Sequence, residues 1–111
     1  MISPVHVTRP EALGKRLEIT RLALGLDQKT FYAPTRLGSS AYSMWESGAR
    51  YPRVEHIMLL CTAYGLTLDW IYRGDLSSLS HRLVLDIQKI ISSLRETGSE
   101  ISNLTNGETG S

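Results

Sequence analysis

Apolar residues recur along this chain at intervals of three and four, the period of a helix packed on one side. Leu13, Leu17 and Leu24 fall on one face at i, i+4 and i+11 and predict a first helix from Thr8 to Gly25. Thr8-Arg9-Pro10-Glu11 has the spacing of a capping box, with Pro10 in the first turn, where a missing N–H costs least. A second helix is expected from Gln28 to Ala33. Asp27 caps its start, and Pro34, which cannot donate a helical N–H, ends or kinks it. Leu37-Gly38 makes a turn. Ser39 and Ser40, both cap-type residues, open a third helix to Glu46, and Gly48 closes it. Val54, Ile57, Met58, Cys61 and Tyr64 form an apolar stripe that predicts a fourth helix over 54–64, stopped by Gly65. Leu68 to Tyr72 adds one more turn before Gly74. A run of five helices without a strand packs as a compact all-α globule around one apolar centre.

The second and third of these helices are short and joined by a few residues. That is a helix-turn-helix, an arrangement that lays its second helix in the DNA major groove. Overall charge adds little, since 12 bases and 11 acids give +1. Its distribution says more. Between Glu11 and Arg53 the bases Lys15, Arg16, Arg21, Lys29, Arg36, Arg50 and Arg53 outnumber Glu11, Glu18, Asp27 and Glu46. Beyond Val54 the acids dominate. A basic half points modestly to phosphate contact at one end.

A set of residues running from Glu11 to Asp75 resembles the lambda-repressor-like helix-turn-helix family of the Cro and phage-repressor type, the XRE family. They are D-Q opening the second helix, W-E-S-G ending the third, a proline before the fourth, and Y-G-L-T-L-D-W-I-Y-R-G-D. The resemblance implies a five-helix DNA-binding domain that reads the major groove with its third helix, usually as a dimer. By that resemblance Gln28 holds a DNA phosphate, which suits a polar residue at a helix start. Ser39, Ser40, Ser43 and Met44 fall at the groove-facing positions. Serine bonds either kind of base edge and methionine touches only a thymine methyl, so part of the site would be read through DNA shape. Lys29, Arg36, Arg50 and Arg53 flank the reading helix as phosphate contacts. The resemblance also pairs Arg21 with Glu46, joining the first helix to the end of the third. The chain departs from the family pattern at Pro34 and at Arg36, which stands where a turn glycine is common and is expected to take positive φ.

The aromatic set Phe31, Tyr42, Trp45 and Trp70, with Leu68, has the spacing of core rather than of a ligand pocket. Cys61 reads as a small buried apolar residue. As the single cysteine it excludes an internal disulfide and fits a reducing compartment. His6, His56 and His81 are isolated, with no metal-ligand spacing. No Ser/His/Asp set, phosphate loop or carboxylate pair is visible. No enzyme activity, cofactor, metal or small-molecule ligand is expected. The opening Met1–Val7 stretch lacks the basic and long apolar regions of a signal peptide, and no apolar run is long enough for a membrane helix. These features point to the cytoplasm, on the nucleoid.

Past Asp75, L-S-S-L-S is a polar joint, followed by a further helix from His81 to Arg95 that Gly98 would stop. Leu76, Leu79, Leu83, Ile87, Ile90 and Leu94 step close to a heptad, with Val84 and Ile91 widening the stripe. Leu79, Leu83, Ile87, Ile90 and Leu94 suit a homodimer contact. The same stripe also suits folding back over the first and fifth helices. The expected division is an arm over 1–10, a DNA-binding domain over 11–75, this helix over 76–97, and a Gly/Ser/Thr/Asn-rich mobile tail over 98–111. The reading is a sequence-specific regulator of transcription binding duplex DNA, acting as a repressor. An antitoxin-like module whose C-terminal helix binds another protein is the alternative. A helix-turn-helix that has lost DNA binding is a third option.

Overall fold

The computed structural model describes residues 9–96. The expectations for Thr8, the N-terminal arm, the Gly98 stop and the tail lie outside the described residues. Among the described residues six α-helices follow in order: α1 Pro10–Ala23, α2 Gln28–Tyr32, α3 Ser39–Ser47, α4 Val54–Tyr64, α5 Leu68–Arg73 and α6 His81–Glu96. Short 3-10 turns at Ala33–Thr35 and Leu76–Ser78 complete the regular structure, and no strand occurs among the described residues.

Local chemistry sets most boundaries. Asp27 accepts the Thr30 N–H at 2.8 Å, and Thr67 accepts the Trp70 N–H at 3.1 Å, so α2 and α5 each start on a side-chain cap. Pro34 ends α2 as an α-helix at Tyr32, and the chain continues as the 3-10 turn. Arg36 then stands at φ 61, the left-handed conformation expected of it. Gly48, at φ 82, closes α3 and could carry no side chain in any case: a Cβ there would lie 2.8 Å from the Glu11 Cα.

Two starts and one burial differ from expectation. Arg9 is the cap residue of α1 and makes no side-chain cap bond. Glu11 is therefore the second helical residue rather than the third, one position out of register for a capping box. At α3 the cap position belongs to Gly38, and Ser39 and Ser40 are already helical. Leu68 opens α5 with its side chain exposed instead of joining the core.

α1 is the central strut, packed against α3, α5 and α6. Leu13, Leu17, Ile19, Phe31, Tyr42, Ile57, Leu60, Trp70, Ile71 and Ile87 are fully buried in one continuous core. Polar links tie α1 to α5. The Trp70 Nε1–H donates to Thr20 Oγ1 at 2.8 Å, Thr20 Oγ1 donates to the Arg16 carbonyl at 2.6 Å, and Arg16 Nη1 donates to the Ile71 carbonyl at 3.0 Å. Burial lowers the Arg16 guanidinium to about 10, which still leaves it protonated at neutral pH.

The inner face of α4 is rotated from the expected stripe. Ile57 and Leu60 are buried and Cys61 and Tyr64 partly so, whereas Val54 and Met58 are 48% and 52% exposed. Leu59 is exposed as well, so α4 is apolar nearly all round. Such a helix has no period that selects one side, and its neighbours decide.

α6 lies back along α1. Leu79, Leu83, Ile87 and Ile91 are buried, and Val84, Ile90 and Leu94 pack at the rim. Ile91, expected only to widen the stripe, lies deeper than Ile90. Within a single chain the stripe thus folds back on α1, and α5, the other helix expected beneath it, is not a main partner.

Candidate nucleic-acid interface

α3 has nine residues and two faces. Tyr42 and Trp45 point into the core, while Ser39, Ser40, Ser43 and Met44 are exposed. The 100° step per residue places these sets on opposite sides. Aromatic contacts hold the inner face. Tyr42 meets Phe31 edge-on at 5.9 Å and Trp45 at 5.8 Å, and Phe31 stacks on Tyr64 at 5.1 Å. The Tyr64 hydroxyl lies 2.9 Å from the Thr30 carbonyl and 3.0 Å from the Phe31 carbonyl, tying α4 to the middle of α2. These contacts hold α2 against α3 and α4.

The seven bases of the N-terminal half sort by surroundings. Arg16 is buried, Lys15 pairs with Glu18 at 3.0 Å, and Arg21 pairs with Glu46 at 2.8 Å. Lys29, Arg36, Arg50 and Arg53 are exposed, at the start of α2, in the turn before α3 and in the loop after it. The four residues expected to flank the reading helix are thus the exposed bases among those seven.

A polar cluster sits behind this surface. Glu46, whose side chain is 9% exposed, takes four donors on its two oxygens. Arg21 Nε donates to Oε2 at 2.8 Å and Arg21 Nη2 to Oε1 at 3.4 Å. Gln28 Nε2 donates to Oε1 at 3.1 Å, and the Tyr42 hydroxyl donates to Oε2. Arg21 Nη1 also donates to the Leu26 carbonyl at 3.1 Å. The bond to Glu46 holds the Arg21 guanidinium above its usual range. Burial, then the bond to Glu46, pushes the Tyr42 phenol well up, so it stays a donor. At the edge of the cluster, the Thr30 backbone N–H holds the Asp27 carboxyl below the usual carboxylate range. Burial pushes the Cys61 thiol up, away from nucleophilic character.

Sequence reasoning paired Arg21 with Glu46 but missed the Gln28–Glu46 bond and the part of Gly14, where α1 touches α3. A Cβ on Gly14 would lie 2.2 Å from the Trp45 carbonyl oxygen. The one available signal was a glycine inside a strongly helical pattern, which usually marks close packing. Among the described residues no helix is long and apolar enough to cross a membrane, and no three metal-ligating side chains come together.

A family model described as helix-turn-helix matches residues 12–71, more than half of the 111-residue chain. No curated protein and no solved structure matches the chain. Helix order, the inward aromatics of α3 and this match agree. The chain belongs to the XRE-type, lambda-repressor-like helix-turn-helix family of DNA-binding transcription regulators.

Proposed function

We propose that this regulator is a repressor that recognises a specific duplex operator with α3 and acts by occupying it against polymerase. One observation carries the reading: α3 exposes Ser39, Ser40, Ser43 and Met44, and Lys29, Arg36, Arg50 and Arg53, on the segments before and after it in the chain, are exposed too. The serines and Met44 meet base edges, and the four bases, with Gln28, grip the phosphates on either side. The protein works in the cytoplasm, on the nucleoid.

Selection of bound duplexes from a random pool yields the operator. A folded Ser40→Glu/Met44→Glu double variant is then expected to lose at least about 30-fold in operator affinity, given about 1–3 kcal/mol per spoiled base contact. Operator affinity equal to wild type in the folded variant overturns the reading. Four phosphate contacts per chain predict that log K falls against log salt with a slope of about −4 per chain.

We infer further that two copies act together on half-sites about one helical turn apart, since one reading helix with short side chains supplies little discrimination by itself. The contact would use the α6 stripe, whose Ile90 and Leu94 sit partly exposed at the rim of the contact with α1. Ile90→Lys is expected to leave the fold intact and weaken operator binding by shifting a dimer to monomer in sedimentation. Ile87→Lys, at a fully buried position, is expected to lower the melting temperature instead. A wild-type chain that sediments as a monomer both free and on its operator overturns pairing.

A further inference from the structure

We propose that Glu46 is a positioning residue for DNA binding, acting through Gln28. The inference rests on the reading that Gln28 meets a DNA phosphate, and it adds how that contact is prepared.

A carboxylate can only accept hydrogen bonds, so the side of the Gln28 amide that faces Glu46 must be its nitrogen. The 3.1 Å contact from Nε2 to Glu46 Oε1 therefore settles the amide's orientation by chemistry. Nε2 carries a second N–H, and the carboxylate uses only one. The spare N–H is a donor on a side chain that is partly exposed beside Lys29. Without Glu46 the amide rotates freely among several rotamers and both flips, some of which turn its carbonyl oxygen toward an approaching phosphate. Fixing one rotamer-rich side chain before binding raises affinity about three- to tenfold.

The charge arrangement makes this contact workable. A bare carboxylate next to a phosphate would repel it. Arg21 lies on both Glu46 oxygens, at 2.8 and 3.4 Å, so the cluster carries no net charge. Glu46 is itself held by three elements: Arg21 from α1, Tyr42 from α3 and Gln28 from α2. The amide is thus referenced to the reading helix, and the phosphate contact and the groove contact share one rigid frame.

The test is a double-mutant cycle on affinity for a short mixed-sequence duplex, with Glu46→Asp and Gln28→Ala. The shorter aspartate keeps the charge that Arg21 follows but draws back from Gln28, whose place is set by the α2 backbone. Gln28→Ala is expected to weaken binding about tenfold and Glu46→Asp about three- to tenfold. The double variant is expected to match Gln28→Ala alone. Additive losses would mean that Glu46 does not act through Gln28 and would overturn the proposal. An unchanged affinity in Gln28→Ala would remove the Gln28 contact and the proposal with it, while leaving the Ser40/Met44 result to stand by itself. If Glu46→Asp fails to fold, the wild-type protein still decides by NMR. Of the two Gln28 side-chain N–H protons, the one bonded to Glu46 should exchange slowly with solvent, and the other should shift when the duplex is added. Equally fast exchange of both protons overturns the proposal.

Discussion

A Gly14→Ala variant is expected to lose about 3 kcal/mol or more of stability, although alanine is the better helix former by about 1 kcal/mol. Gly14 lies inside α1 and is buried. A Cβ there would stand 2.2 Å from the Trp45 carbonyl oxygen and 2.7 Å from the Glu46 carbonyl oxygen. Both are backbone atoms in the last turn of α3, so no rotamer change relieves the clash. The two helices have to move apart, and the closely packed core between them has to open. The gain in helix propensity is several-fold smaller than this overpacking cost, so the sign is destabilising. Each kcal/mol lowers the melting temperature by about 4–8 °C in a domain of this size. The displacement falls on the reading helix, so operator affinity is expected to drop even below the melting transition. An unchanged melting temperature would show that α1 and α3 do not touch here.

Truncating Glu46 has the next largest expected effect. Glu46→Ala strands Arg21, whose side chain is 13% exposed, and removes the acceptor of the buried Tyr42 hydroxyl. Removing one partner of such a pair costs about 3–5 kcal/mol, because the other charge is left without compensation. Two other ion pairs give the control. Arg73–Asp69 at 3.6 Å and Arg82–Asp86 at 3.7 Å are far more open, and Asp69→Ala or Asp86→Ala is expected to cost about 0–1 kcal/mol. Denaturant melts of these variants check the ordering. Equal losses at Glu46 and Asp69 would mean that the cluster behind α3 is a surface pair like the others.

The reading helix was legible before its packing was known. Tyr42 and Trp45 alternate with Ser40, Ser43 and Met44 at a spacing that separates them onto two faces, and a large aromatic goes inward wherever there is a core. The exposed bases were harder to find. Lys15, Arg16, Arg21, Lys29, Arg36, Arg50 and Arg53 look alike as letters. Burial of Arg16 and pairing of Lys15 and Arg21 left four exposed bases, Lys29, Arg36, Arg50 and Arg53.

What the sequence determined by itself was local: the helices, their order, the stops at Gly25, Gly48, Gly65 and Gly74, the break at Pro34, and the left-handed turn at Arg36. Each depends on sterics and hydrogen bonding within a few residues, which neighbouring letters specify directly. Tertiary structure decided which side of the nearly all-apolar α4 turns inward, and that α6 spends its stripe on α1. It also decided that Gly14 is a contact point, that Arg16 reaches the Ile71 carbonyl across 55 residues of chain, and that Glu46 holds Gln28. Those outcomes depend on what another helix places opposite, and a period of 3.6 in one helix carries no information about its partner.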